Sequence, residues 1–296
     1  MKLFISLFST TLGLTWIGLS TEQSRICASP SLDPAQKRLC DRNPQFAHAL
    51  SHAAKTTVDS CVSSMSKKRW GCAALKTLPA VGRELTEATS ESAYVHALGS
   101  ANLVTSLYRL CESGTIGPCS RQRIGQFATE FTGVVSASRR HRAKATVEMH
   151  NSKVGRASAW RATRKVCKCH GQSGSCTQKT CWETAPDEKE VARELARKYE
   201  TAALVRLTNG LPDEISEIVA KDRLLFLKKK SDFCRLTRGR KCSPEATGSD
   251  SCESLCCGRG FVFKSQKNIE ENCQFLWPAK IVCEPVLKVV EKYVCQ

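Results

Sequence analysis

Apolar residues recur at three- and four-residue steps through the first half of the chain: Leu85, Ala88, Ser92, Val95 and Leu98, continuing through Ala101, Leu107 and Leu110. That spacing puts them on one face of a helix. A second helical stretch is predicted over about Ile124–Ala162, with Gly133 and Gly155 as the candidate breaks. Pro186, Asp187 and Glu188 make a good helix start, because proline suits the first turn and carboxylates favour the positive end of the helix dipole. Val191, Leu195, Tyr199 and Ala202 follow at helical steps, and Trp70 and Trp160 are expected in or near the core.

Between the second and third helices the pattern changes to CKCHGQSGSCTQKTCW, Cys167 to Trp182. Cys167 and Cys169 are two apart, so in a strand they share a face and can both close onto a returning strand. The economical pairing is nested, Cys169 with Cys176 inside and Cys167 with Cys181 outside. This makes a twice-stapled β-hairpin with residues His170 to Ser175 at its tip. Gly171 and Gly174 are expected to supply the positive φ of a tight tip. The prong then presents the hydroxyl of Ser173.

Residues Thr208 to Asp232 lack cysteine and mix Gly-Leu-Pro with charged stretches, which reads as a connection, with Asp222–Leu227 a candidate strand. From Cys234 onward short apolar segments alternate with turn residues. Only Cys111 and Cys119 lie between Cys72 and Cys167, whereas eight cysteines lie from Cys234 to Cys295. The first region should therefore bury a real core and the last should depend on covalent staples. The predicted organisation is a leader over 1–20, a helical domain over 21–207 carrying the hairpin 167–181, a linker over 208–233, and a cysteine-rich domain over 234–296. The fold class is α+β.

Lys2, an apolar run through Leu19, and the small residues Gly18 and Ser20 read as a secretory signal peptide; the competing reading of that run is a membrane anchor. No later segment has the ~20 apolar residues of a membrane span. All 18 cysteines lie beyond the leader, which in an oxidising compartment reads as nine disulfides. In a reducing compartment Cys167, Cys169, His170, Cys176 and Cys181 would be candidate zinc ligands, but the leader and the Gly-Ser tip argue against a metal cage. The net charge is +17, with basic clusters at Lys67–Arg69, at Arg139, Arg140 and Arg142, at Lys228–Lys230, and at Arg238, Arg240 and Lys241. Outside a cell the matching polyanion is sulfated glycosaminoglycan, not nucleic acid. Some of these cations are ordinary surface charge.

An enzymatic reading is available and weak. Gly171-Gln172-Ser173-Gly174-Ser175 lacks the last glycine of a nucleophile elbow and sits in a clamped hairpin where a strand-to-helix turn is required. No acid is placed to orient His170, so no catalytic residue is assigned.

The Cys167–Trp182 segment resembles the lipid-attachment hairpin of the Wnt family of secreted signalling proteins. RWGC (Arg69–Cys72), ESAYVHALGSA (Glu91–Ala101), MHNSKVGR (Met149–Arg156), SDFC (Ser231–Cys234) and LCCGRG (Leu255–Gly260) are similar to Wnt landmarks, in Wnt order. The resemblance implies a covalent palmitoleate on Ser173, with Ser175 left free, and no other cofactor or metal. It implies the pairs Cys27–Cys40, Cys61–Cys72, Cys111–Cys119, Cys167–Cys181, Cys169–Cys176, Cys234–Cys257, Cys242–Cys252, Cys256–Cys295 and Cys273–Cys283. It also implies a second receptor-contacting finger at Phe275, Leu276 and Trp277. The implied partners are a Frizzled cysteine-rich domain, a low-density-lipoprotein-receptor-related co-receptor, the acyltransferase Porcupine and the carrier Wntless. Heparan sulfate follows from the charge. The implied location is secreted, in the extracellular space and matrix. The rival reading is a secreted heparin-binding matrix protein with a bare hairpin, or an antagonist on the same scaffold.

The family places further cysteines where this chain has Glu271, Pro278, Ala279 and Val286; the outer two pair together and the middle two form a vicinal disulfide. Arg121 also occupies a family cysteine position, and the segment carrying its partner is shortened. Cysteines are thus lost in pairs, which suits a folded variant. Packing by Phe261, Phe263 and Val289 is the expected compensation in the last domain. No N-x-Ser/Thr sequon is present; Asn151-Ser152-Lys153 comes nearest.

Overall fold

Ser90 begins the helix around which the first part of the chain is built. The computed structural model describes residues 14–21, 25–72, 74–75, 83–114, 120–133, 142–208, 211–212, 222–229, 232–249, 251–277 and 280–296. The chain divides into two units, Met1–Ser64 with Cys72–Ser231, and Met65–Gly71 with Asp232–Gln296.

In the first unit a 3-10 turn, Thr15–Thr21, precedes α1 (Pro34–Arg42) and α2 (Ala47–Ser64). Helix α1 starts where its sequence dictates: Asp33 accepts from the Ala35 and Gln36 amides, Gln36 reaches back to the Asp33 amide, and Pro34 fills the first turn. The helix predicted from Leu85 is split into α3 (Arg83–Thr86) and α4 (Ser90–Glu112). Thr89 causes the break, since its extended backbone and its hydroxyl, which accepts from the Ser92 amide, start a new helix. Helix α4 is buried on all sides from Ser90 to Leu107, so its apolar stripe understates its burial.

Several polar groups on α4 find partners on neighbouring helices. Asn102 donates to Thr57 on α2 at 3.2 Å, and His96 lies 3.3 Å from Glu148. Tyr199 donates to the buried Glu91 carboxylate at 2.6 Å. Burial first, and Glu91 second, push the Tyr199 phenol well above its ordinary pKa, so it stays protonated as a donor.

The stretch predicted over Ile124–Ala162 is two helices, α5 (Arg121–Thr132), with Gly133 at its C-cap, and α6 (Arg142–Arg161). Gly155 does not break α6; it lets α6 press onto α4, where a Cβ would stand 1.9 Å from the Ala97 carbonyl oxygen. Arg156, one residue on, donates to Thr132 at 2.8 Å, and burial pulls its guanidinium pKa down to about 10. Strands β1 (Arg164–Cys169) and β2 (Lys179–Thr184) form the prong, followed by α7 (Glu188–Glu200), capped by Asp187. Short strands β3 (Ala203–Leu204), β4 (Leu207–Thr208), β5 (Leu211–Pro212) and β6 (Leu225–Phe226) complete the unit.

Two expected boundaries are corrected. Residues 222–229 belong to the first unit and not to a linker over 208–233. Strand β6 pairs parallel to β3, Leu225 packs with Val147 and Val205, and buried Asn151 brackets Leu225 with two 2.9 Å bonds to its carbonyl and amide. Asn151 thus acts as a surrogate strand for β6. The leader boundary at Ser20 also fails to coincide with the edge of the fold, because Leu14, Trp16, Ile17 and Leu19 are buried in the core.

The second unit takes in Met65–Gly71, which the sequence assigns to the helical domain. Arg240 donates to the Arg69 and Ser66 carbonyls at 2.7 and 2.6 Å, and Arg69 donates to the Ser254 carbonyl at 2.9 Å. Gly71 has φ +58° and a Cβ there would meet the Arg240 guanidinium, so glycine is required twice over. Trp70 is buried, as expected, and Trp160 in the first unit is partly so. Strand β7 (Lys241–Cys242), α8 (Cys252–Cys256), β8 (Phe261–Leu276) and β9 (Lys280–Cys295) follow, in sheet order β7-β9-β8.

The buried cluster here is Cys242, Cys252, Leu255, Cys256 and Cys295. Phe261, Phe263 and Val289 are exposed on the hairpin, so they do not supply the expected compensating core. Sulfur supplies it, as befits a unit too small for an apolar interior. Eight disulfides join Cys27–Cys40, Cys61–Cys72, Cys167–Cys181, Cys169–Cys176, Cys234–Cys257, Cys242–Cys252, Cys256–Cys295 and Cys273–Cys283. All eight belong to the set the family resemblance implies; for Cys111–Cys119, Cys119 lies outside the described residues. No described cysteine is free.

Candidate functional site, a stapled prong and an exposed finger

The prong is an antiparallel ladder running from Arg164↔Thr184 to Cys169↔Lys179, with Cys167 directly opposite Cys181. Beyond it the His170 amide donates to the Gln178 carbonyl at 2.8 Å and the Gly171 amide to the Ser175 carbonyl at 2.8 Å. Gly174 and Ser175 turn back on Gly171 and Gln172 through bonds of 2.9 and 3.2 Å. The positive φ values fall on Ser173 (+58°) and Gly174 (+76°), not on Gly171 as expected. Gly171 is needed for a different reason: a Cβ there would lie 2.2 Å from Ser175 Oγ and 2.5 Å from the Ser175 carbonyl oxygen.

Ser173 holds a left-handed conformation that costs a non-glycine residue roughly 1–2 kcal/mol. The two staples and the turn bonds hold it there. Its side chain is exposed, and among the described residues its hydroxyl has no hydrogen-bond partner. Ser175 differs, because its Oγ lies 3.0 Å from Thr177 Oγ1. The geometry therefore separates two serines that the sequence leaves side by side.

The base of the prong is rooted by groups that the sequence reading missed. Arg121 donates to the Trp160 carbonyl at 3.0 Å and to Thr163 Oγ1 at 3.2 Å, and its guanidinium lies 4.7 Å above the Trp160 ring. An arginine at a family cysteine position thus ties the start of α5 to the residues that lead into β1. On the β2 side, Glu112 accepts from the Ala185 amide at 2.9 Å and Arg109 pairs with Glu188 at 2.6 Å. Arg164 pairs with Glu190.

The finger is the tip of the β8–β9 hairpin, whose ladder runs from Phe261↔Cys295 to Leu276↔Lys280 with Cys273 opposite Cys283. Short strands were expected; two sixteen-residue strands are found. Phe275 is 66% exposed and Trp277 88%. Leu276 closes the ladder opposite Lys280, and Pro278 and Ala279 lie outside the described residues. Glu271 and Val286, at the positions of a missing family pair, lie one register step apart in an intact ladder, Glu271 opposite Pro285 and Val286 opposite Glu270, so their side chains point to opposite faces.

The 3.9 Å Cα separation at Cys273–Cys283 marks a non-hydrogen-bonded pair, and Glu271↔Pro285 shares its parity. The missing amide of Pro285 therefore points away from β8 and costs no ladder bond. Ser173 belongs to the first unit, and Phe275, Leu276 and Trp277 to the second.

A sequence model of the wnt family matches residues 28–126 and 123–296. Xenopus laevis Protein Wnt-11b is 30% identical over 96% of this chain and 94% of its own length. Mus musculus Protein Wnt-5b is 27% identical over 92% of this chain and 87% of its own length. In a solved structure of human WLS in complex with WNT8A, one chain superposes with TM-score 0.65 at 25% identity, covering 85% of this chain and 94% of that one. With its hairpin prong, cysteine framework and near-complete coverage by these relatives, this chain belongs to the Wnt family.

Proposed function

We propose that this chain is a secreted Wnt-type signalling ligand that carries palmitoleate as an ester on Ser173 and uses it to bind a Frizzled cysteine-rich domain. The observation that carries the reading is the exposed, unpartnered Ser173 hydroxyl on a doubly stapled tip, beside a Ser175 hydroxyl engaged by Thr177. In the esterification, the Ser173 oxygen attacks the carbonyl carbon of a fatty acyl thioester, the carbon–sulfur bond breaks, and the thiol leaves with the serine proton. Porcupine is the acyltransferase in this reading.

The relative WNT8A was solved with WLS, and Wntless is proposed as the carrier of this chain too. Phe275, Leu276 and Trp277 form the second contact with the receptor domain, and a low-density-lipoprotein-receptor-related protein is the co-receptor. Heparan sulfate in the extracellular matrix meets the remaining basic surface, with exposed Arg238 and Lys241 as contributors. Arg69 and Arg240 are less available, since both donate to backbone carbonyls within the second unit. Among the described residues no helix is long and apolar enough to cross a membrane.

The reading is tested on the secreted chain by detergent partitioning and by mass spectrometry of the peptide containing Ser173. Acylation abolished by Ser173→Ala and retained in Ser175→Ala supports it. A bare peptide in wild-type protein refutes it.

Two variants probe the geometry of the prong and the finger separately. Gly171→Ala forces a methyl group into the Ser175 side chain and carbonyl, so the tip must open. Acyl occupancy of Ser173 should fall severalfold while the thermal midpoint of the whole chain moves little, because the prong lies outside the core; unchanged occupancy would count against the proposed tip geometry. Phe275→Ala with Trp277→Ala removes the two exposed aromatics of the finger. Loss of such anchors typically costs ~2 kcal/mol or more, or about 30-fold in affinity. Receptor-domain titration should show that drop with full acylation, and an unchanged affinity would remove the finger from the interface.

A further inference from the structure

We propose that the secreted protein keeps residues Leu14–Thr21 as a fitted piece of its fold, so that its leader is cut upstream of Leu14 and not at Ser20. The apolar stretch from Leu3 to Leu19 reads as one leader, but its final residues behave as a core element. Trp16, Ile17 and Leu19 are 1%, 0% and 0% exposed. Trp16 meets Phe131 edge-on, with ring centroids 5.7 Å apart.

The fit is one of shape as well as apolarity. Helix α4 has Gly99 where the Trp16 ring passes, and a Cβ at that position would stand 3.1 Å from Cζ2 of the indole. The segment has its own notch: a Cβ on Gly18 would lie 2.5 Å from Ser31 Oγ. Polar atoms at its end are engaged, with Ser51 Oγ donating to the Leu19 carbonyl at 3.4 Å and Thr21 Oγ1 to the Gly18 carbonyl at 3.2 Å.

A discarded leader needs a cationic start, an apolar run and small residues at the cut, and no shape fit to any partner in the fold. Two glycines accommodating two specific partners are packing complementarity, which only a retained segment uses. Cutting at Ser20 would remove a fully buried tryptophan and leave a void against Phe131 and Gly99. Thr11 and Gly13 provide small residues for a cut directly before Leu14.

Intact mass and amino-terminal sequencing of the full chain secreted from animal cells test this directly. A mature chain beginning at Leu14 or upstream supports the proposal, and any start beyond Leu14 overturns it. In a second arm a foreign leader with a defined cut is fused directly before Leu14 or directly before Thr21. The Leu14 form should be secreted at the native level, and the Thr21 form should fall severalfold or more, as expected when a core element is lost. Equal secretion with equal thermal midpoints would overturn the proposal, whatever the natural cut. Neither arm depends on acylation or receptor binding, so the outcome is independent of the proposed function.

Discussion

Ser173→Ala is expected to abolish measurable binding to an isolated Frizzled cysteine-rich domain, while Ser175→Ala binds like wild type. The size of the effect follows from the chemistry of the appendage. At ~0.8 kcal/mol per buried CH₂, about fourteen buried carbons contribute on the order of 10 kcal/mol before ordering costs. Even half of that corresponds to more than about a thousandfold in affinity. The neighbouring cations Lys165, Lys168 and Lys179 are exposed and add mainly to the rate of encounter. The prong itself should survive, since the ladder, both staples and the turn bonds involve no Ser173 side-chain atom. Surface plasmon resonance with matched thermal melts separates lost contact from lost fold; binding by the Ser173→Ala chain within tenfold of wild type would sink the proposal.

Gly155→Ala should produce the largest folding defect of any single methyl addition considered. Its Cβ would stand 1.9 Å from the Ala97 carbonyl oxygen and 2.7 Å from Ala97 Cα, both backbone atoms of the buried helix α4. No rotamer relieves a backbone clash, so α6 must move off α4 along the face that also carries Val154 and Ser158. Overpacking of this kind costs ~3 kcal/mol or more. Secreted yield should drop severalfold, with a lowered midpoint in whatever protein is recovered. Gly125→Ala is the control, because the position lies within α5 and the nearest atom to its Cβ is Cζ2 of Trp160 on α6 at 3.9 Å, an ordinary contact. That change should be neutral or stabilise by ~0.5–1 kcal/mol through helix propensity. If both variants melted alike, the close α4–α6 approach would be wrong.

What the sequence revealed, and what it hid, follows from how local each signal is. The prong was legible because cysteines two apart, a Gly-Ser tip and returning cysteines specify a hairpin within sixteen residues. Its φ assignment went astray at Gly171 because a glycine can be required by free torsion or by close approach, and the sequence looks the same in both cases. Helix α4 was legible from its period, but the break at Thr89 needed a capping hydroxyl to be weighed against a continuous stripe. The linker reading of residues 208–233 failed because β6 has only two ladder residues, and its second partner, Asn151, lies 74 residues away. The long β8–β9 hairpin read as short strands because its two faces carry mixed polar and apolar residues, and its length becomes clear only from the register. Residues Leu14–Leu19 were hidden most completely, since a leader and a buried core segment share one hydropathy pattern.

The central claim is that the Ser173 ester supplies most of the adhesion to the receptor. Its most direct test is the affinity of secreted wild-type protein for the isolated cysteine-rich domain before and after enzymatic removal of the acyl group, with mass spectrometry confirming the state of Ser173 in each sample. The account predicts a palmitoleoylated peptide and tight binding before treatment, and a bare peptide with binding weakened by about a thousandfold or more afterwards. Undiminished affinity in the deacylated sample would contradict it.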